Sequence, residues 1–126
     1  MILKNNNRKI EIKNIRKLSE LGKIRGLMFR RRETCPALLF ESKKPVQFSI
    51  HSWYVLFPFL AVWLDDKNKI LDKKIVKPFQ LFIPSKKKFY KLVEIPFNKK
   101  YSSELLLLGS FPVGERFKYT NGLYFL

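Results

Sequence analysis

Residues 57–76, Phe-Pro-Phe-Leu-Ala-Val-Trp-Leu-Asp-Asp-Lys-Asn-Lys-Ile-Leu-Asp-Lys-Lys-Ile-Val, decide the fold of this chain. The first eight residues are continuously apolar, which is typical of a strand that is covered on both faces. Residues 65–69 form the strongest turn signal in the chain, because Asp and Asn side chains satisfy backbone groups in tight turns. Residues 70–76 then return as the partner strand. The stretch therefore predicts a buried β-hairpin.

Further short strands are predicted on both sides of this hairpin. Two prolines, Pro78 and Pro84, enclose one of them, and that position suits an edge strand better than a sheet centre. The other segments show either alternation of apolar and polar residues or short apolar runs between turn residues. The predicted strands are residues 10–13, 37–41, 46–52, 79–83 and 89–95, with last pairings at 105–108 and 117–119, and residues 42–45 are predicted to be a turn.

A single helix is predicted before these strands. Apolar residues recur at three- and four-residue spacing from Ile15 to Met28, which is the stripe of an amphipathic helix. Asn14 is the predicted N-cap, and Gly26 is expected to end or bend the helix. The predicted fold class is β-rich α+β, a small barrel-like antiparallel sheet with one N-terminal helix.

The length of 126 residues suits a single domain. We predict a basic leader and first strand over residues 1–13, followed by one domain over residues 14–126. The start of the chain lacks the apolar segment of a signal peptide, and Cys35, as the single cysteine, suits a reducing compartment. We therefore expect a cytoplasmic protein. The apolar run 48–64 is interrupted by His51 and Pro58, so it predicts buried sheet and no membrane span.

Basic residues dominate the charge. Lys and Arg number 26 against 10 Asp and Glu, so the formal net charge is +16, and residues 1–34 carry half of it. A field of this sign attracts nucleic acid phosphates or an acidic membrane surface. Alternatively, the excess of Lys reflects a Lys-rich proteome, in which Lys is common at solvent-exposed positions. The sequence leaves both explanations of the charge open.

Seven short motifs follow one another between residues 14 and 115. They are Gly26-Leu27-Met28-Phe29-Arg30, Ala37-Leu38-Leu39-Phe40, Phe48-Ser49-Ile50-His51, Phe57-Pro58-Phe59-Leu60, Trp63-Leu64-Asp65, Lys77-Pro78-Phe79 and Lys91-Leu92-Val93-Glu94-Ile95-Pro96. In this order the motifs resemble those of the DUF192 family, also called UPF0127, and their residues are closer to those of its archaeal members. The resemblance implies a compact, mainly β, barrel-like domain with no settled activity.

Two positions depart from that family. Leu60 stands where the family commonly has Asp, two residues after the hairpin proline, and Gly109-Ser110 stands where Gly-Asp is frequent. Both departures remove carboxylates, so the sequence favours a protein that is not an enzyme and predicts no cofactor.

Few residues could support catalysis or bind a metal. A closed zinc site needs four Cys or His ligands, and this chain has one of each, Cys35 and His51. Asp65 and Asp66 suit a hairpin turn better than a cation site. The neighbouring arginines would make Cys35 reactive if it were exposed, but a buried packing role is favoured, because free cysteines are usually buried.

Binding to a polyanion, RNA above all, is the leading functional hypothesis. Two dense basic clusters could hold phosphates, and the adjoining Phe89 and Tyr90 could stack on bases, with a core position for Phe89 as the alternative. The candidate phosphate-binding residues are Arg25, Arg30, Arg31, Arg32, Lys86, Lys87 and Lys88.

Two other classes of function remain open. A barrel of this size could enclose a small-molecule pocket or a cryptic enzyme site, lined by Ser49, His51, Trp53 and Arg30. A protein-interaction module could instead use Trp53 and Tyr54 or the apolar terminus 123–126. The sequence does not decide the oligomeric state.

Overall fold

A computed structural model describes residues 1–18 and 26–109 of the chain. Seven strands, a single 3-10 turn and one short helix make up the secondary structure of these residues. The strands are β1 (Ile2–Asn5), β2 (Arg8–Glu11), β3 (Arg16–Lys17), β4 (Leu38–Val46), β5 (Phe59–Leu64), β6 (Ile70–Val76) and β7 (Phe89–Pro96), followed by the 3-10 turn Lys99–Tyr101 and helix α1 (Ser102–Leu107).

The central element is a five-stranded sheet with the strand order β3-β4-β7-β5-β6. β3 runs parallel to β4, and all other neighbours are antiparallel. The predicted hairpin is confirmed: β5 is buried along its whole length and pairs with β6. In the turn, Asp65 Oδ1 accepts hydrogen bonds from the backbone N–H groups of Lys67 and Lys69, both at 2.8 Å.

Both faces of this sheet are covered. Leu60, Val62 and Leu64 of β5 face a cluster completed by the β1–β2 hairpin and α1. The alternate residues of β5 face a second cluster, which the loops before and after the strands complete. We call the second side the loop-covered face; it consists of β4, β5 and β7 beneath residues 26–37, 47–58 and 77–88.

The predicted barrel closure is wrong. The described strands form an open sheet with β3 and β6 at its two edges, and a separate two-stranded sheet, β1-β2, packs against it. Closure would require the edges to pair, but β3 has only two residues and β6 exposes Lys73 and Lys74. A short strand and charged side chains are ways in which proteins keep a sheet edge unpaired. The coarser prediction, a β-rich α+β fold, is confirmed.

The predicted N-terminal helix is wrong wherever the structure describes it. Asn14, the predicted N-cap, has a positive φ of 53°, and residues 26–29 form a turn. The N–H groups of Arg16 and Leu18 instead donate to the carbonyls of Ala37 and Leu39, at 2.8 and 2.9 Å. Pairing with β4 thus satisfies the backbone groups that a first helical turn would leave free. Residues 19–25 lie outside the described residues.

Several other segments differ from expectation. β4 continues through the predicted turn 42–45 with a register irregularity between Glu41 and Val46. Ile50 and Ile83 form one isolated bridge in place of strands over 46–52 and 79–83. Residues 105–108 fall in and just after α1, where a strand was expected. β7 is confirmed, and the pairing expected at 117–119 lies outside the described residues.

Candidate functional site

Ser52 fixes two of the loops on the loop-covered face to each other. Its side chain is fully buried. Its hydroxyl donates to the Lys77 carbonyl and accepts from the Gln80 N–H, both at 2.6 Å. Its backbone N–H donates to the Gln80 carbonyl at 2.8 Å, and its carbonyl accepts from Phe79 N–H at 3.0 Å. Because four bonds meet at one residue, the two loops hold a fixed geometry.

Four aromatic side chains form a continuous exposed row above this junction. Phe29 stacks on Tyr54 with ring centroids 5.1 Å apart and planes 21° from parallel. Tyr54 contacts Trp53 at 6.1 Å, and Trp53 meets Phe79 edge-on at 6.4 Å. The four residues are between 43% and 64% exposed, although rings of this size usually lie in the core. We call this row the aromatic surface: Phe29, Trp53, Tyr54 and Phe79.

Three of these four residues have a backbone conformation that bulky side chains avoid. Phe29, Tyr54 and Phe79 have φ values of 61°, 57° and 60°. A left-handed conformation costs an L-residue roughly 1–2 kcal/mol. Strained residues of this kind concentrate at functional sites, where the surrounding structure holds them in place. Here the Phe29 N–H donates to the Tyr54 carbonyl at 3.1 Å, so two of the strained residues hold each other.

In the first basic cluster, two arginines bind backbone carbonyls of the protein and a third is exposed. Arg30 Nε donates to the Gly26 carbonyl at 2.9 Å, and Arg32 Nε donates to the Phe97 carbonyl at 2.7 Å. These bonds fix the loop that carries Phe29. Arg31 is exposed. Arg25, the remaining candidate of this cluster, lies outside the described residues.

The second basic cluster is at the other end of β7. Lys86, Lys87 and Lys88 are all exposed and directly precede that strand, whereas Arg32 is bound just beyond its last residue. Eight residues of β-strand span roughly 25 Å. The structure therefore does not bring the two predicted clusters together, and a ligand that contacts both would have to be an extended chain.

Of the two aromatic residues predicted to stack on bases, one is excluded from that role. Phe89 is fully buried and packs against Phe48 with ring centroids 5.0 Å apart. The alternative, a core aromatic, is confirmed for Phe89, whereas Tyr90 is half-buried. Among the described residues the exposed Phe, Tyr and Trp rings lie instead in the loops, at positions 29, 48, 53, 54, 79 and 82.

The predicted pocket residues line two different depressions. Ser49 and His51 line a cavity of about 360 Å³ beneath the loops, between β4, β5 and β7. His51 and Trp53 line an open depression of about 430 Å³ at the aromatic surface, together with Phe29 and Tyr54. His51 thus stands between the two, and its Nδ1 accepts the Trp53 N–H at 3.2 Å.

Glu94 is a functional candidate that sequence reasoning missed. It lies on β7, on the loop-covered face, and its carboxyl group lines the 360 Å³ cavity. Burial raises the pKa of this carboxyl from 4.5 to about 7, although the positive charge of Arg30 opposes the rise. One feature of the sequence could have indicated this residue. Glu94 is an acidic residue within an otherwise mostly apolar strand, close to Leu92 and Ile95, which are both buried.

Cys35 packs in the core, as the sequence favoured. Its thiol is buried, and burial raises its pKa from 9.0 to about 11; the charge of Arg30 opposes this rise and that of Glu94 adds to it. The arginines therefore do not make this thiol reactive. Over residues 1–18 and 26–109, no group of three or more His, Cys, Asp or Glu side chains is arranged to hold a metal ion. Within the same ranges, no helix has the length and apolar character that crossing a membrane requires.

Comparison with known proteins identifies structures of similar fold but no family. No family model matches the chain. No curated protein matches it either. Two solved structures are similar in fold. One is a protein of unknown function from Novosphingobium aromaticivorans, with a TM-score of 0.63, 13% identity, and coverage of 86% of this chain and 75% of the other.

The second similar structure is a candidate transcription regulator from Sinorhizobium meliloti. Its TM-score is 0.66 at 15% identity, and the match covers 88% of this chain and 84% of the other. At such identities the likeness concerns the fold alone. The resemblance to DUF192 stays a prediction.

Proposed function

We propose that this protein is a non-enzymatic binding module for single-stranded nucleic acid, RNA in the first place. The observation that carries the proposal is the aromatic surface, an exposed row of rings held by strained backbone among basic loops. We also place the protein in the cytoplasm, as its sequence suggests.

The charge of the surrounding loops supports an anionic partner. Residues 26–32, 47–58 and 77–88 contain seven Lys and Arg residues and no Asp or Glu. Arg30, Arg31 and Arg32 directly follow Phe29, and Lys77 lies two residues before Phe79, so basic residues are sequence neighbours of two of the four rings. Basic residues in such positions attract phosphates and raise the rate of encounter with nucleic acid.

The rings favour unpaired bases over a duplex. Proteins that bind single strands combine a positive track for the backbone with aromatic side chains on which successive bases stack. Paired bases are already stacked within the helix and do not offer their faces. The separation of the two basic clusters by roughly 25 Å also fits a ligand that is an extended strand. The similarity to a candidate transcription regulator is in keeping with this proposal.

Fluorescence anisotropy with a labelled 12-nucleotide oligo(U) tests the role of the rings. At about 50 mM salt we expect binding of the single strand and at least tenfold weaker binding of a 12-base-pair duplex. Trp53→Ala and Tyr54→Ala should each weaken single-strand binding by roughly 5- to 150-fold, since stacking contributes about 1–3 kcal/mol per base. Leu107→Ala, which removes an exposed apolar side chain from α1, is the matched control and should bind like the wild type.

A salt titration tests the role of the lysines. Replacing Lys86, Lys87 and Lys88 by Glu should reduce the slope of log affinity against log salt by about 2, because each phosphate contact to a single strand contributes roughly 0.7. The control is the Lys4→Glu/Arg8→Glu/Lys9→Glu variant on β1 and β2, which reverses the same number of charges on the opposite side of the sheet. Equal losses in both variants would show that only net charge matters. Binding to anionic phospholipid vesicles without binding to oligo(U) would overturn the proposal in favour of a membrane surface.

A further inference from the structure

The 360 Å³ cavity on the loop-covered face has the composition of a small-ligand site. Its volume falls in the range of about 300–1,000 Å³ that is usual for ligand pockets, which are mostly apolar with few polar groups. Aromatic and aliphatic side chains from β4, β5, β7 and the 47–58 loop form its walls. The lining residues include Phe40, Phe48, Phe59 and Leu92, together with Glu94 and His51.

The Glu94 carboxyl lacks a close counter-ion among the described residues. Arg30 acts on it through space, but no ion pair within 4 Å joins the two groups in the described part of the chain. Among the described residues, His51 also lines the cavity, and Cys35 is close enough to interact with Glu94, but its thiol is protonated at neutral pH. The loop backbone comes close at Gly26, where a Cβ atom would lie 3.5 Å from Glu94 Oε1. The carboxyl therefore faces a mostly apolar space whose volume suffices for a partner.

We propose that this cavity binds a small apolar molecule that carries a protonated amine, with the amine paired to the Glu94 carboxylate and the apolar body among the aromatic walls. The cavity adjoins the depression at the aromatic surface, with which it shares His51, but the proposal does not depend on nucleic acid binding. Glu94 is half-buried; a carboxylate that is partly withdrawn from water without a close counter-ion is costly, and a cation compensates for part of that cost. Phe40, Phe48 and Phe59 line the same cavity, and aromatic rings attract cations.

The other two ligand classes fit less well. A ligand anion would be repelled by the ionised carboxylate or would have to bind only its protonated form. A neutral apolar ligand would fill the space but leave the carboxyl group desolvated and unpaired. Among the described lining residues, Glu94 is the one Asp, Glu, Lys or Arg side chain, and a cation is the ligand class that gains from its charge.

Calorimetric titration with 2-phenylethylamine tests the proposal, with 2-phenylethanol and 3-phenylpropionate as neutral and anionic probes of similar size. At pH 8 we expect the amine to bind most tightly. Glu94→Gln should lower the affinity for the amine by between about tenfold and a hundredfold, the contribution of a charge-assisted bond, and leave that for the alcohol within about twofold. Glu104→Gln changes a half-buried carboxyl on α1, on the other side of the sheet, and should change neither affinity.

The pH dependence provides a second readout. Since the amine requires the ionised carboxylate, its affinity should rise about tenfold between pH 6 and pH 8, and Glu94→Gln should abolish this rise. Loss of the rise in Glu94→Gln assigns it to this carboxyl, and persistence of the rise in the variant would contradict that assignment. Absence of binding by any probe, equal affinities for amine and alcohol, or an unchanged affinity in Glu94→Gln would each overturn the proposal. None of these results bears on binding to oligo(U).

Discussion

Replacing Glu94 by Gln is expected to remove a pH-dependent destabilisation of about 3 kcal/mol from the folded protein. Burial raises the pKa of this carboxyl from 4.5 to about 7, so between these two values the folded state holds a proton that the unfolded state has released. Stability must then fall as pH rises. It falls by at most about 1.4 kcal/mol per pH unit, which amounts to about 3 kcal/mol over the interval.

Urea unfolding at pH 4.5 and pH 8 measures this effect as a difference between variants. The free energy of unfolding of Glu94→Gln minus that of the wild type should increase by about 3 kcal/mol from the lower to the higher pH. Other titrating groups cancel in this comparison because both proteins contain them. Glu104→Gln should show a smaller change of the same sign, because desolvation also raises the pKa of this carboxyl, which lies near Lys13. Parallel pH dependences of Glu94→Gln and wild type would refute the assignment of a desolvated carboxyl.

Three further predictions concern groups that hold the loops and the core. Ser52→Ala leaves two backbone groups of the facing loop unpaired and should cost about 2–3 kcal/mol in urea unfolding, whereas Ser49→Ala at an exposed site should cost less than about 0.5. Tyr101→Phe deprives the Ala37 N–H of its acceptor at 2.8 Å and should cost about 1–2 kcal/mol, with a cost below about 0.3 contradicting that role. The pKa of Cys35 near 11 means that a disulfide reagent at pH 8 should modify the native thiol at least about a hundredfold more slowly than the urea-unfolded one, and comparable rates would contradict its burial.

The sequence predicts a strand well where the polarity of all its residues agrees with one environment, either buried or exposed. β5 is apolar throughout and lies inside the sheet, next to a turn whose Asp65 bonds can be read from the residue types. β7 is also predicted, although its place between β4 and β5 is not, because strand order depends on contacts distant in the sequence. The apolar spacing from Ile15 to Met28 indicated a helix, but pairing of residues 16–18 with β4 prevailed there. Tertiary contacts override weak local preferences of this kind.

The candidate site is harder to predict, because it is built from loops. Sequence reasoning singled out His51 and Trp53 but assigned them to one pocket, and the structure places His51 between a cavity and an open depression. The exposure of the aromatic surface could not be predicted, since an aromatic residue in a loop is usually packed against the core. The fixed position of the loops that carry these rings depends on hydrogen bonds of the buried Ser52 hydroxyl. No local sequence pattern distinguishes Ser52 from a serine at the surface.

Intrinsic tryptophan fluorescence tests the central claim most directly, because the chain has two tryptophans, the exposed Trp53 and the buried Trp63. Titration with oligo(U) should quench the Trp63→Phe variant, which retains Trp53, in a saturable manner that weakens as salt is raised. The Trp53→Phe variant should show little quenching, because Trp63 lies in the core. Equal quenching of the two variants, or none in either, would contradict the stacking of unpaired bases on the aromatic surface.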